Sequence, residues 1–189
     1  MASFSVIKGP VGSNEKELVD AQLVDSQTIQ QTMEILPKGT RRLAAQLRTS
    51  IAFESLWKVL TAYEKLSDFI PNLSSSEILS RDLNKVQLRQ VGTQDFFGFK
   101  FSAEVFLELE ELKAEGVLKF HLLKGDFQRF DGAWILRECP KGDGIFLLYE
   151  LTVQGCVGMP VALIEQRLTK DLSENLLAVE KTALKTSLL

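Results

Sequence analysis

The sequence predicts an α+β fold: a curved antiparallel sheet, built as a meander, around a long C-terminal helix. Three observations carry this reading. From Ser76 to Gln154 the chain runs in β segments joined by short turns, and links that short join only antiparallel neighbours. From about Pro160 to Lys185 the apolar period becomes helical, with Ile164, Leu168, Leu172, Leu176, Val179 and Ala183 on one stripe. Ahead of the meander, Phe53, Leu56, Trp57, Leu60 and Tyr63 fall at helical spacing. An amphipathic helix beside a one-sided sheet buries its stripe against that sheet.

The elements follow in order. Residues 1–17 are rich in Gly, Ser, Asn and charge and read as a flexible tail. Residues 18–189 read as one domain. Val19, Ala21 and Leu23 alternate, and Pro37-Lys38-Gly39-Thr40 is a turn signal, so a strand is expected either side of it. Arg42 to Ile51 is a strand, and Phe53–Tyr63 a helix. A second short helical piece stops at Pro71, which biases Ile70 away from the α region. Ser76–Ser80, Val86–Thr93, Phe99–Leu109, Val117–Leu123, Phe127–Arg137 and Ile145–Gln154 are the six strands of the meander. Phe99–Leu109 alternates most clearly, with Phe99, Phe101, Ala103, Val105, Leu107 and Leu109 on the core face. Pro160 suits the first turn of the last helix.

Composition excludes several classes. The 189 residues are 45% hydrophobic and 25% charged, with a net charge of −3, and lack the basic excess of a phosphate-binding face, so no nucleic-acid partner is expected. The N-terminus has no basic stretch followed by an apolar core, so no secretory signal is expected. The most apolar window, 145–164, is broken by Glu150, Gln154, three glycines and Pro160, which argues against a membrane span. Cys139 and Cys156 fall near opposite ends of one hairpin, roughly 40 Å apart at strand spacing, far beyond disulfide reach. Free thiols suit a reducing compartment, and a cytoplasmic location is expected. With a single histidine, His121, and no CxxC pair, neither a metal site nor a cofactor is predicted.

Particular motifs sharpen the fold. Leu56-Trp57-Lys58-Val59-Leu60-Thr61-Ala62-Tyr63 leads through Leu66 to Phe69-Ile70-Pro71-Asn72-Leu73. Gln90-Val91-Gly92 is followed by Gly98-Phe99-Lys100-Phe101, and Gly125-Asp126-Phe127 by Phe130, Gly132 and Trp134. Asp171-Leu172 and Asn175-Leu176-Leu177 lie in the closing helix. In this order they resemble the START-like (SRPBCC) superfamily, specifically its polyketide cyclase/dehydrase and lipid-transport group, related to the coenzyme-Q-binding proteins. The variant looks most like those of oxygenic phototrophs. The resemblance spans roughly residues 42–185 and implies the helix-grip fold and an apolar or isoprenoid ligand. Ala62 stands where the motif has Asp, and Ala52 where a Pro commonly opens the first helix; the first removes any role for a polar group there.

Candidate site residues follow from the faces. Phe99, Phe101, Phe130, Trp134 and Tyr149 point to the concave side, either as plain core or as the wall of a cavity. The small inward residues Ala103 and Gly132 favour a cavity. Gln90, Tyr149 and Asn175 are the inward polar groups, available to backbone partners or to a ligand. Trp57, Phe69, Ile70, Pro71, Leu88, Ile164 and Leu168 complete the expected ligand wall. Phe96 and Phe97 occupy a hairpin tip, where they either fold back as a lid or form a lip that contacts a membrane transiently. His121, Arg89 and Arg167 read as surface groups, and Glu104, Glu108, Glu110 and Glu111 as a solvated face and its turn.

The resulting expectation is a protein that binds or transports a hydrophobic small molecule: a lipid, prenylquinone or carotenoid-like compound. Two rivals share the fold. One is a cyclase or aromatase acting on a polyketide-like chain, for which Tyr149 and His121 are the only acid–base candidates, and no catalytic residue is assigned. The other is an assembly factor with a vestigial cavity.

Overall fold

The computed structural model describes residues 29–96, 99–140, 142–156 and 161–187. The predicted tail and the alternation at Val19–Leu23 lie outside them. Eight strands form one antiparallel sheet: β1 (Gln30–Ile35), β2 (Arg41–Thr49), β3 (Leu73–Asp82), β4 (Lys85–Phe96), β5 (Phe99–Leu112), β6 (Val117–Gly125), β7 (Phe127–Glu138) and β8 (Ile145–Gly155). Their order is β1-β2-β8-β7-β6-β5-β4-β3. Strands β3 to β8 are the predicted meander. The chain reaches the far edge of the sheet between β2 and β3 through helix α1 (Phe53–Leu60) and a 3-10 segment, Tyr63–Asp68.

Helix α1 ends three residues short of the predicted Tyr63. The Thr61 hydroxyl donates to the Trp57 carbonyl at 2.8 Å, and Ala62 leaves helical geometry at φ −82°, ψ 58°. Tyr63 therefore starts the 3-10 segment, whose side chain turns under the sheet. Register shifts interrupt the pairing at Leu73/Ser75, Ile78/Ser80, Phe106/Leu107 and Phe127/Arg129. Such bulges add local twist and bend a sheet. Gly116 closes the β5–β6 turn at φ 68°. A Cβ there would meet the Leu136 carbonyl oxygen at 2.3 Å, so both the backbone angle and the close approach require glycine.

Helix α2 (Val161–Ser187) lies on the concave side, against β2, β8 and α1. Leu172, Leu176, Val179 and Ala183 of its predicted stripe are fully buried. On the sheet, alternation sorts the faces as expected: Leu43, Ala45 and Leu47 of β2, and Leu147, Tyr149, Leu151 and Val153 of β8, all point inward and are buried. This is the helix-grip architecture that the sequence predicts.

Candidate functional site, an apolar cavity

The helix and sheet do not fill the space between them. A cavity of about 590 Å³ remains, within the range of small-molecule sites. Its wall is asymmetric. Strands β6–β8 supply the rings of Phe120, Phe127, Phe130, Trp134 and Tyr149. These form one connected surface: centroids lie 5.3 Å apart for Phe127–Phe130, 5.9 Å for Phe120–Phe130 and 6.1 Å for Phe120–Tyr149. Trp134 and Tyr149 are cross-strand partners, stacked at 4.1 Å and 3°. The opposite wall is aliphatic, from Val105, Leu107 and Leu109 of β5 with Leu60, Leu66 and Ile70. Leu168, Leu172 and Val179 of α2 border it from the helix side.

Of the residues singled out from sequence, Ile70, Pro71, Gln90, Ala103, Phe130, Trp134, Tyr149, Leu168 and Asn175 do border this space. Trp57, Phe69 and Leu88 do not. Trp57 faces the core and stacks on Phe53 at 5.8 Å. Leu88 is on the concave face but 0% exposed, at the sheet edge where the 3-10 segment packs on β3. Phe69 follows that segment and is half-buried against the core. The side chains of Phe96, Phe99, Phe101 and Ile164, and the whole of Phe97, lie outside the described residues. Gly132 does not enlarge the cavity. Phe120, its cross-strand partner, lies over it, and a Cβ would come within 2.6 Å of the Phe120 ring.

The polar groups differ in how they are held. Gln90 donates to Ser76 Oγ at 3.1 Å. Tyr63 is 1% exposed; it donates to Glu111 Oε1 at 2.7 Å, and Arg81 Nη2 reaches the same oxygen at 3.2 Å. Glu111 is thus not part of the solvated cluster. It shares strand parity with Leu107 and Leu109, a signal that alternation already contained. Burial first, then the bond to Glu111, pushes the Tyr63 phenol far up, with Arg81 pulling it slightly down. Asn72 donates to Asp171 Oδ1 at 3.2 Å, linking the 70–73 loop to α2. Arg167, expected at the surface, borders the cavity instead. Its place one turn before Asp171 turns it toward the space.

Two polar groups are not so held. Tyr149 is 8% exposed. Burial, reinforced by the charge of Asp171, pushes its phenol far up, so it keeps its proton at neutral pH. The Asn175 Oδ1 is buried and accepts no hydrogen bond. His121 faces solvent, 4.0 Å from Glu108. Glu108 pairs with Lys85 and Glu104 with Arg89 on the outer face. Both cysteines are free. Among the described residues no group of acidic, His and Cys side chains gathers as a metal site, and no helix is long and apolar enough to cross a membrane.

Comparisons with solved structures agree with this architecture. A STAR-related lipid transfer protein from Xanthomonas axonopodis superposes with a TM-score of 0.69 at 16% identity, covering 84% of this chain and 95% of its own. The Zhui aromatase/cyclase from Streptomyces sp. R1128 gives 0.66 at 15% identity, covering 77% and 94%. Human STARD10 gives 0.62 at 9% identity, covering 93% and 81%. At these identities the likeness shows the fold alone. No curated protein matches the chain in sequence. The family model described as polyketide cyclase/dehydrase and lipid transport matches residues 49–180, from the end of β2 through most of α2, and the chain belongs to that family.

Proposed function

We propose that the protein binds a hydrophobic small molecule in this cavity and carries it shielded from water. A lipid, prenylquinone or carotenoid-like compound suits the site. The observation that carries the reading is the space of about 590 Å³ between helix and sheet, with a largely apolar lining. Burying roughly 200 Å² of apolar ligand surface favours binding by about 5 kcal/mol before the costs of association. The aromatic wall suits a flat or unsaturated skeleton, and the aliphatic wall accepts a flexible chain.

A second reading rests on Tyr149. Its protonated phenol at the cavity wall can donate a hydrogen bond to a carbonyl of a polyketide-like chain in a cyclase-type reaction. The vestigial-cavity reading fits less well, because it expects a closely packed interior. Native mass spectrometry of gently purified protein separates the three. A co-purifying hydrophobic compound supports the carrier. An empty protein that converts an added chain to a product supports the enzyme. An empty protein that takes up no hydrophobic probe sinks both.

The lip at Phe96 and Phe97 remains a proposal of the same kind. It expects weaker association with phosphatidylcholine vesicles, and slower ligand transfer to them, when both residues are changed to Ser. Unchanged association and transfer would end it.

A further inference from the structure

One hairpin of the sheet is not paired along its length. Strands β6 and β7 meet over Val117–Phe120 and Gly132–Ile135. Beyond these pairs, His121–Gly125 and Phe127–Asp131 run to their shared turn with no ladder between them. The result is a seam about 13 Å long at strand spacing. Each strand keeps its outer neighbour through this stretch: β6 stays on β5 as far as Gly125, and β7 stays on β8 from Phe127. Both outer ladders shift register at this height, at Phe106/Leu107 and at Phe127/Arg129. A bulge bends its strand, and here one stands on each flank of the seam.

The Asp131 side chain spans the opening. In a continued ladder Leu122 would oppose Phe130, two residues on from the Phe120–Gly132 pair. Instead the Leu122 N–H donates to Asp131 Oδ1 at 3.3 Å. Arg129 Nε donates to Oδ2 of the same carboxylate at 2.6 Å. At the far end the turn is clipped to β5. The Asp126 N–H donates to the Glu104 carbonyl at 2.9 Å, and the Asp126 carboxylate accepts from the Glu104 N–H at 2.7 Å.

The seam divides the cavity wall. Val105, Leu107 and Phe120 reach the cavity from the β3–β6 side, and Phe127, Phe130 and Trp134 from the β7–β8 side. Helix α2 packs on β2 and β8 and belongs with the second side. Phe120 and Phe130 meet across the division with centroids 5.9 Å apart.

We propose that this seam is an expansion joint: the two parts of the sheet separate along it to fit ligands of different girth, and Asp131 is the catch that limits the separation. This rests on the carrier reading and adds how the site sets the width of what it accepts. Along a full ladder every backbone bond opposes separation. A stretch held by a carboxylate and a ring contact opens at lower free energy. Asp131 is a positioning residue, acting through Leu122 and Phe130.

The test uses butylbenzene, butylnaphthalene and butylpyrene, probes that share one chain and differ in the width of the ring head. Each is titrated calorimetrically into the wild-type protein, Asp131→Ala and Asp131→Asn. Asparagine keeps an oxygen that accepts from the Leu122 N–H, and alanine does not. The alanine variant is expected to raise affinity for butylpyrene relative to butylbenzene about fivefold, and the asparagine variant to stay within about twofold of wild type. Amide exchange on the wild-type protein needs no variant: Leu122 should exchange faster than Leu118 and Phe120 on the same strand. An unchanged ratio in the alanine variant, or an asparagine variant that shifts as far, overturns the proposal and leaves the carrier reading standing. So does a Leu122 amide as slow as those of Leu118 and Phe120. Binding of none of the three probes overturns both.

Discussion

Along α2 one helix meets the sheet in two different ways. From Leu172 to Ala183 its stripe is completely buried: Leu172 is 2% exposed, and Leu176, Val179 and Ala183 are 0%. This half packs against α1 and the core of the sheet. From Glu165 to Asp171 the helix roofs the cavity, and polar links hold it instead. Arg41 Nε donates to Glu165 Oε1 at 2.5 Å. Gln31 donates to the Thr169 carbonyl at 2.8 Å and to Ser173 Oγ. Asn72 reaches Asp171. Dispersion and burial fix the second half over its whole length, whereas the first half is fixed at points. A segment with few buried apolar contacts opens at lower free energy than the core, so the roof, rather than the anchored half, is the part suited to admit a guest.

The comparison can be broken most directly at Leu176. Leu176→Ala leaves a hole in the anchored half and is expected to cost about 3 kcal/mol of global stability, read as a lower urea midpoint. A cost under about 1 kcal/mol would mean that this half is not the anchor. The next effect is alkaline. Tyr63, beneath the 3-10 segment, and Tyr149, beneath the roof, are the only tyrosines in the chain. Both phenols are raised by burial. The folded values lie above the unfolded one, so this contribution to stability is intact below about pH 10 and falls by roughly 1.4 kcal/mol per pH unit per tyrosine above it. Tyrosinate absorbance should therefore stay flat past the ordinary phenol range and rise only with unfolding. A transition of ordinary midpoint in folded protein would place one of the two rings in water.

Smaller effects concern the roof alone. Arg41→Ala removes the partner of Glu165 and is expected to cost about 1–2 kcal/mol. Its signature is local: amide exchange should accelerate across Glu165–Asp171 and stay unchanged around Leu176. Uniform acceleration along α2 would erase the distinction between the halves. Asn72→Gly removes an exposed hydrogen bond while keeping the left-handed φ of 62° accessible, and should change stability by less than about 0.5 kcal/mol. It should nevertheless speed release of a bound hydrophobic probe in stopped-flow exchange.

The architecture was legible because the signals are local and repeated. Alternation along β5 and the stripe of the last helix each recur over many residues, and among the described residues Val105, Leu107 and Leu109, Tyr149, and Leu172 to Ala183 of the stripe came out inward as read. The cavity was legible only in part. Period tells which way a side chain points but not how much lies over it. That is why Leu88 and Trp57 looked like wall residues and are sealed core. Gly132 looked like open space because nothing along its own strand reveals that Phe120 lies over it. The Tyr63–Glu111 bond joins residues 48 apart in the chain. Strand parity was available to set Glu111 apart from the solvated cluster it was read into, but only the fold brings Tyr63 beneath it.

Two indoles report on different things. The chain has two tryptophans, one stacked on Phe53 in the sealed interior and the other at the cavity wall against Tyr149. Intrinsic emission from Trp57 follows whether the protein is folded, and that from Trp134 follows what occupies it. Changing Trp57 to Phe would leave a single built-in optical sensor of occupancy, with no dye attached.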